Sequence, residues 1–142
     1  MDRVLVTGIS GLLGSNLAYA SRDRFEVVGA YHLNPVSANW CDTIPLDLRQ
    51  ADEVWSTVHR LKPRIVIHCA AETRVDYCEE QPQEAIRVNA EGTGSLARAA
   101  AHLGSKFVYI STDSVFDGNH GRYGEDADTG PVNAYSRSKL MG

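Results

Sequence analysis

Three residue types in the second half of the chain could do chemistry together: a phenol, an ammonium and a hydroxyl. Tyr135-Ser136-Arg137-Ser138-Lys139 sets Tyr135 and Lys139 four apart, hence on one face of a helix. A positive charge beside a phenol favours the phenolate, so Lys139 is expected to draw the Tyr135 pKa down toward the working pH. A phenol poised in this way can give or take a proton at a carbonyl carbon undergoing hydride transfer, a role worth roughly 10²–10⁴ in rate. Taken alone, a Tyr and a Lys at this spacing describe an ordinary solvated helix face. Thr112 shifts the balance, because it follows the apolar run Lys106-Phe107-Val108-Tyr109-Ile110. A hydroxyl at such a strand end can hydrogen-bond the same carbonyl oxygen. Its neighbour Asp113 is a minor candidate for contact with a polar substrate.

Hydride transfer needs a dinucleotide, and the start of the chain has the residues to hold one. Val4-Leu5-Val6-Thr7 runs straight into Gly8-Ile9-Ser10-Gly11-Leu12-Leu13-Gly14, and a helical pattern follows at once. Gly8 permits a sharp turn out of the strand, Gly11 lets the backbone meet a phosphate, and Gly14 lets the helix lie close on the sheet. The free amides of the loop and helix start, from Ser10 through Leu12 and Leu13, with the positive end of the helix dipole, make a pyrophosphate seat. A glycine triplet by itself is weak evidence. Here the strand before it and the helix after it supply the required context.

The cofactor reads as NADP ahead of NAD, with tolerance of both left open. An acidic residue about 20 positions after the glycine turn would bind the ribose 2′-hydroxyl of NAD. The second apolar run ends instead in Gly29-Ala30-Tyr31-His32, and no arginine lies between Ala30 and Cys41. His32 is thus a candidate phosphate neighbour. Asp47 could accept from the adenine amino group or simply cap its loop. Asn89 lies on the stripe Ile86, Asn89, Thr93, Leu96, Ala100 and Leu103, which faces the sheet. An amide there needs partners. It either ties its helix to a strand-end loop or supports that loop as a nicotinamide shelf after Ala70 and Ala71, and the two readings are compatible.

The elements that must position these groups alternate. The pattern predicts strands at Val4–Thr7, Phe25–Ala30, Thr43–Leu46, Arg64–Ala71 and Lys106–Ile110. Helices are expected over about Gly11–Ser21, with Leu12, Leu13, Leu17 and Ala20 as its apolar side, then Asp52–Leu61, Gln83–Leu103, and from Tyr135 onward. Such alternation means βαβ units in a parallel sheet with helices on both faces. The ligand crevice then lies beyond the carboxyl ends of the strands, where the singled-out residues fall.

The chain has 142 residues, 43% of them hydrophobic and 23% charged, at net charge −4. That composition suits one ordinary globular domain and gives no basic patch for nucleic acid. No apolar run approaches the roughly 20 residues of a membrane span, and Met1 leads directly into the first strand, so a cytoplasmic location is expected. Cys41, Cys69 and Cys78 form no C-x-x-C pair and read as free thiols. His59 and His102 have no second ligand at metal spacing, and His68 reads as a satisfied core residue.

Taken in order, Thr7-Gly8-x-x-Gly11-x-x-Gly14, His68-Cys69-Ala70-Ala71-x-Thr73-x-Val75-Asp76-x-Cys78-Glu79, Val88-Asn89-x-Glu91-Gly92-Thr93, Ser111-Thr112-Asp113-x-Val115-Phe116-Asp117-Gly118 and Tyr135-x-x-x-Lys139 resemble the extended short-chain dehydrogenase/reductases. Within them the chain looks most like the dTDP-4-dehydrorhamnose reductase group. The resemblance implies a Rossmann-type doubly wound sheet and reduction of the 4-keto group of a nucleotide-linked deoxysugar by NAD(P)H. It implies Thr112, Tyr135 and Lys139 as the catalytic trio, with Gly8, Gly11 and Gly14 at the pyrophosphate. Asp47 and Leu48 would flank adenine. The Cys69-Ala70-Ala71-x-Thr73 segment would lie beside the nicotinamide ribose. Two departures stand out: Ser114 where the group commonly has Tyr, and the point at which the sequence stops. Members continue past the Tyr/Lys helix into a lobe that binds the nucleotide-sugar, so residues 1–142 correspond to the cofactor half, with a homodimer as a further expectation. Two other readings remain: an epimerase or dehydratase of the same superfamily, and a non-catalytic dinucleotide-binding regulatory subunit.

Overall fold

A computed structural model describes all 142 residues. Its centre is a parallel sheet of β1 (Arg3–Thr7), β2 (Glu26–Tyr31), β3 (Asp42–Pro45), β4 (Ile65–His68) and β5 (Lys106–Tyr109), in the order β3-β2-β1-β4-β5. β1 is paired on both sides, Val4 opposite Val27 of β2 and opposite Ile65 of β4. Val4 through Thr7 are buried, as their apolar run requires, and only Arg3 at the entrance is partly exposed. The strand order reverses at β1, where α1 (Leu12–Ser21) leads to β2 and the chain later returns to β4 through α2 (Ala51–Leu61). A crevice opens at such a reversal, beyond the strands' carboxyl ends.

Alternation along each strand feeds two cores. Leu5, Val28 and Val66 meet Val54 and Val58 of α2 and Leu96, Ala99 and Ala100 of α5 (Gly92–His102) on one face. Val4, Val6 and Val27 meet Ile9 and Ala18 on the other. The spacing predicts a stripe of Val54, Trp55, Val58 and Leu61 on α2. Val54, Val58 and Leu61 are buried with Thr57 beside them, whereas Trp55 is 43% exposed and stacks on His59 outside the core. Lys62 ends the helix in the left-handed conformation at φ 47°.

The structure corrects four expectations. The packing face of α1 is Gly14 and Ala18, not the leucines: Leu12 is 85% exposed and Leu13 46%. The cause is proximity, since a Cβ on Gly14 would overlap the Gly8 carbonyl, so only small residues fit under the helix. Val75–Glu80 forms a short helix, α3, within a stretch read only as a motif. The long helix arrives in pieces: α4 (Pro82–Ile86), a π turn at Arg87–Glu91, and α5. β4 stops at His68, leaving Cys69–Thr73 as loop at the sheet edge. Lastly α6 (Ala134–Met141) packs against α3, α4 and the π turn.

Candidate functional site

The turn after β1 is built for close approach. Gly8 stands at φ +72°, and a Cβ there would come within 2.8 Å of the Ala70 amide nitrogen. Gly8 and Ile9 both donate to the Ala30 carbonyl, at 2.9 and 3.1 Å, and Gly11 donates back to Gly8 at 2.9 Å. These bonds fix the loop between β2 and β4. The helix it starts has no side-chain cap and no acidic residue in its first turn. Its leading amides therefore remain donors without a partner in the chain, aimed where an anion would satisfy them. That cradle fits a dinucleotide pyrophosphate.

Around it lies a cleft of about 600 Å³. Gly8, Ser10, Gly11, Leu12, Leu13 and Gly14 form one wall; Tyr31, His32, Asp47 and Leu48 line the β2–β3 end; Cys69, Ala70, Ala71 and Thr73 line the β4 end. Residues drawn from four separate segments thus meet at one crevice.

The sequence offers no local signal for Arg49 in the cleft, and Glu84, expected as solvated surface charge, is instead 23% exposed and paired with it. Arg49 donates to both Asp47 oxygens, at 2.9 Å from Nε and 2.8 Å from Nη2, and to Glu84 at 2.6 Å from Nη1. Its Nη2 also stands 3.2 Å from His32 Nε2. The Arg49 hydrogen bonds hold the Asp47 carboxyl below the usual carboxylate range and raise the guanidinium in turn. Asp47, read as an adenine acceptor or a loop cap, spends its carboxylate on Arg49.

At the other end, a buried hydrogen-bond chain ties the shelf to the sheet and helices. Thr93 donates to the Asn89 carbonyl at 2.7 Å, so His68 Nε2 donates to Thr93 at 3.0 Å, and His68 Nδ1 accepts from Thr7 at 2.6 Å. Thr7 in turn accepts from the Ala70 amide at 3.2 Å. Burial, with Lys139 nearby, drives the His68 pKa down to about 3, so the ring stays neutral. His68 is the satisfied core residue its context suggested.

Asn89, only 1% exposed, sits inside the π turn. Its Oδ1 accepts from the Glu72 amide at 2.8 Å, and its Nδ2 donates to the Glu72 carbonyl and to Ser138 Oγ, each at 2.9 Å. One amide therefore clasps the loop after Ala71 and joins it to α6, the helix of Tyr135 and Lys139. A π turn widens the helix and here accompanies the tethered amide.

The proposed trio lies around this junction rather than in the cleft wall. Lys139, 4% exposed, donates from Nζ to the Ile110 carbonyl at 2.8 Å and stands 4.2 Å above the Tyr109 ring. Burial lowers its pKa to about 8, partly offset by Cys69. Tyr135 is half-buried against Cys78, Ala85 and Ala134. The Thr112 hydroxyl caps a short turn at Asp113–Val115, accepting from Ser114 N at 3.2 Å and reaching Asp113 Oδ1 at 3.3 Å. No hydrogen bond joins the three to one another, although α6 packs on the turn that Thr112 caps.

The solved structures similar to this chain include a hypothetical dTDP-4-dehydrorhamnose reductase from Sulfolobus tokodaii, with TM-score 0.93 and 35% identity, covering 100% of this chain and 50% of that one. Another is the Bacillus anthracis dTDP-4-dehydrorhamnose reductase in complex with NADP, at TM-score 0.79 and 34% identity over 99% of this chain and 47% of that one. Among curated proteins, methionine adenosyltransferase 2 subunit beta of Pongo abelii is 36% identical over 99% of this chain and 41% of its own length. The chain thus spans half or less of the relatives it matches. A family model, the RmlD substrate binding domain, matches residues 1–142, and the chain belongs to that family.

Proposed function

We propose that the chain is the NAD(P)-binding domain of a reductase that delivers hydride to the 4-keto group of a nucleotide-linked deoxysugar. The observation that carries this reading is the cleft, where an uncapped helix start and a glycine cradle face a shelf tethered to the Tyr135/Lys139 helix. NADP in the Bacillus anthracis relative, at 34% identity, supports a nicotinamide dinucleotide. The nicotinamide ring, when bound, supplies the hydride.

The chain's own residues do the rest. The unpartnered amides at the start of α1, at Leu12 and Leu13, hold the pyrophosphate with Ser10 and the glycines around them, and the segment Cys69–Thr73 orients the ribose beside the reacting ring. Tyr135 transfers the proton to the carbonyl oxygen as it becomes a hydroxyl, with Thr112 turning from its local cap to the same oxygen. Lys139, fixed by the Ile110 carbonyl, supplies positive charge below pH about 8. The sugar and its nucleotide would contact residues outside this domain.

A second reading is favoured by one observation: the Thr112 hydroxyl is committed to Ser114 and Asp113. A dinucleotide-binding regulatory subunit needs no free hydroxyl there, and the Pongo abelii relative is a subunit. The assay that separates them follows NADPH oxidation by the gene product with a dTDP-4-keto-6-deoxysugar. The reductase reading expects turnover that Tyr135→Phe lowers by about 10²-fold or more with NADPH affinity unchanged. Dinucleotide binding without turnover supports the regulatory reading.

A further inference from the structure

We propose that Arg49, beside His32, selects a 2′-phosphorylated adenine dinucleotide over its 2′-hydroxyl counterpart. This rests on the dinucleotide reading and adds the residue that discriminates. The end of β2 has no carboxylate to accept a ribose 2′-hydroxyl. What the fold brings there is a guanidinium from the loop after β3, 17 positions from His32 in sequence and 3.2 Å from its ring nitrogen. Both side chains line the cleft and are accessible, 35% for Arg49 and 46% for His32.

Asp47 grips one edge of the guanidinium through Nε and Nη2, which fixes its plane before any ligand arrives. The Nη1 edge is engaged by Glu84, whose side chain is 23% exposed and lies 3.8 Å from Arg87, one helical turn along. Two carboxylates and two guanidiniums therefore balance at this end of the cleft. A phosphate dianion competing for the Nη1 edge displaces Glu84, which retains Arg87 as its partner. An ion pair this close to solvent is worth about 0–1 kcal/mol, whereas a fork-shaped guanidinium–phosphate pair is among the strong charge-assisted contacts. The exchange thus favours the phosphate, and a 2′-hydroxyl has no charge with which to drive it.

Titration of the full chain with NADPH and NADH, followed by nucleotide fluorescence, tests the assignment. The wild-type chain is expected to bind NADPH about tenfold or more tightly than NADH, with the difference shrinking as salt is raised. Arg49→Met should reduce the ratio to about twofold or less. Glu84→Gln removes the competitor and should tighten NADPH alone, by about two- to fivefold. Competition with 2′,5′-ADP against 5′-AMP repeats the comparison on unmutated protein, and circular dichroism verifies folding of each variant. An unchanged ratio in Arg49→Met, a wild-type preference for NADH, or weaker NADH binding in Glu84→Gln would overturn the proposal. Failure of both dinucleotides to bind the wild-type chain would instead sink the underlying cofactor reading, and this assignment with it.

Discussion

His68 and Lys139 are buried ionisable groups that answer to pH in ways their positions dictate. His68 has a pKa of about 3 when folded, against 6.5 as its ordinary value. The unfolded chain takes up a proton below pH 6.5 that the folded chain refuses, so stability is lost as pH falls from 6.5 toward 3. Urea unfolding at pH 7, 6 and 5 should show this decline, and His68→Gln should flatten it. Lys139 has a pKa of about 8 when folded and 10.5 as its ordinary value. Between those values the unfolded chain binds the extra proton, so stability contributed at this site rises from pH 8 to pH 10.5. Melting curves of the wild type relative to Lys139→Met across that range should reveal the rise. Asn89 is a different case, because both its amide atoms are spent on partners. Asn89→Ala strands the Glu72 amide and carbonyl, so a loss of about 2–4 kcal/mol is expected in chemical denaturation.

At the scale of elements, the approach of α1 to the turn after β1 sets how the cleft is formed. A methyl group on Gly14 would meet the Gly8 carbonyl, so Gly14→Ala should destabilise by about 1–3 kcal/mol in thermal unfolding and weaken dinucleotide binding. The strands and α2 were legible in the sequence because their signals are local: apolar runs for β1, β2 and β4, and a stripe at helical spacing for α2. The face of α1 was not, because apolar spacing points to Leu12 and Leu13 while backbone proximity selects Gly14 and Ala18. The π turn leaves no such mark, since the stripe from Ile86 to Ala100 runs through it at near-helical spacing. Nor could α3 be read from periodicity, being only 6 residues long.

Across the whole molecule, the glycine turn, the segment after β4 and Asp47 converge as their places at strand ends require. Arg49 and Glu84 join them only in three dimensions, being 35 residues apart, and no local pattern pairs them. No hydrogen bond joins Thr112, Tyr135 and Lys139 to one another, and the chain spans half or less of the relatives it matches. The cleft above β1 is therefore the central feature of the molecule. Its most direct test is calorimetric titration of the chain with NADPH and NADH, beside a Gly11→Asp variant that sets a carboxylate at the uncapped helix start. Binding of at least one dinucleotide at about micromolar Kd is expected, abolished in the variant. Binding that survives Gly11→Asp unchanged, or a wild-type chain that takes up neither dinucleotide, would contradict this.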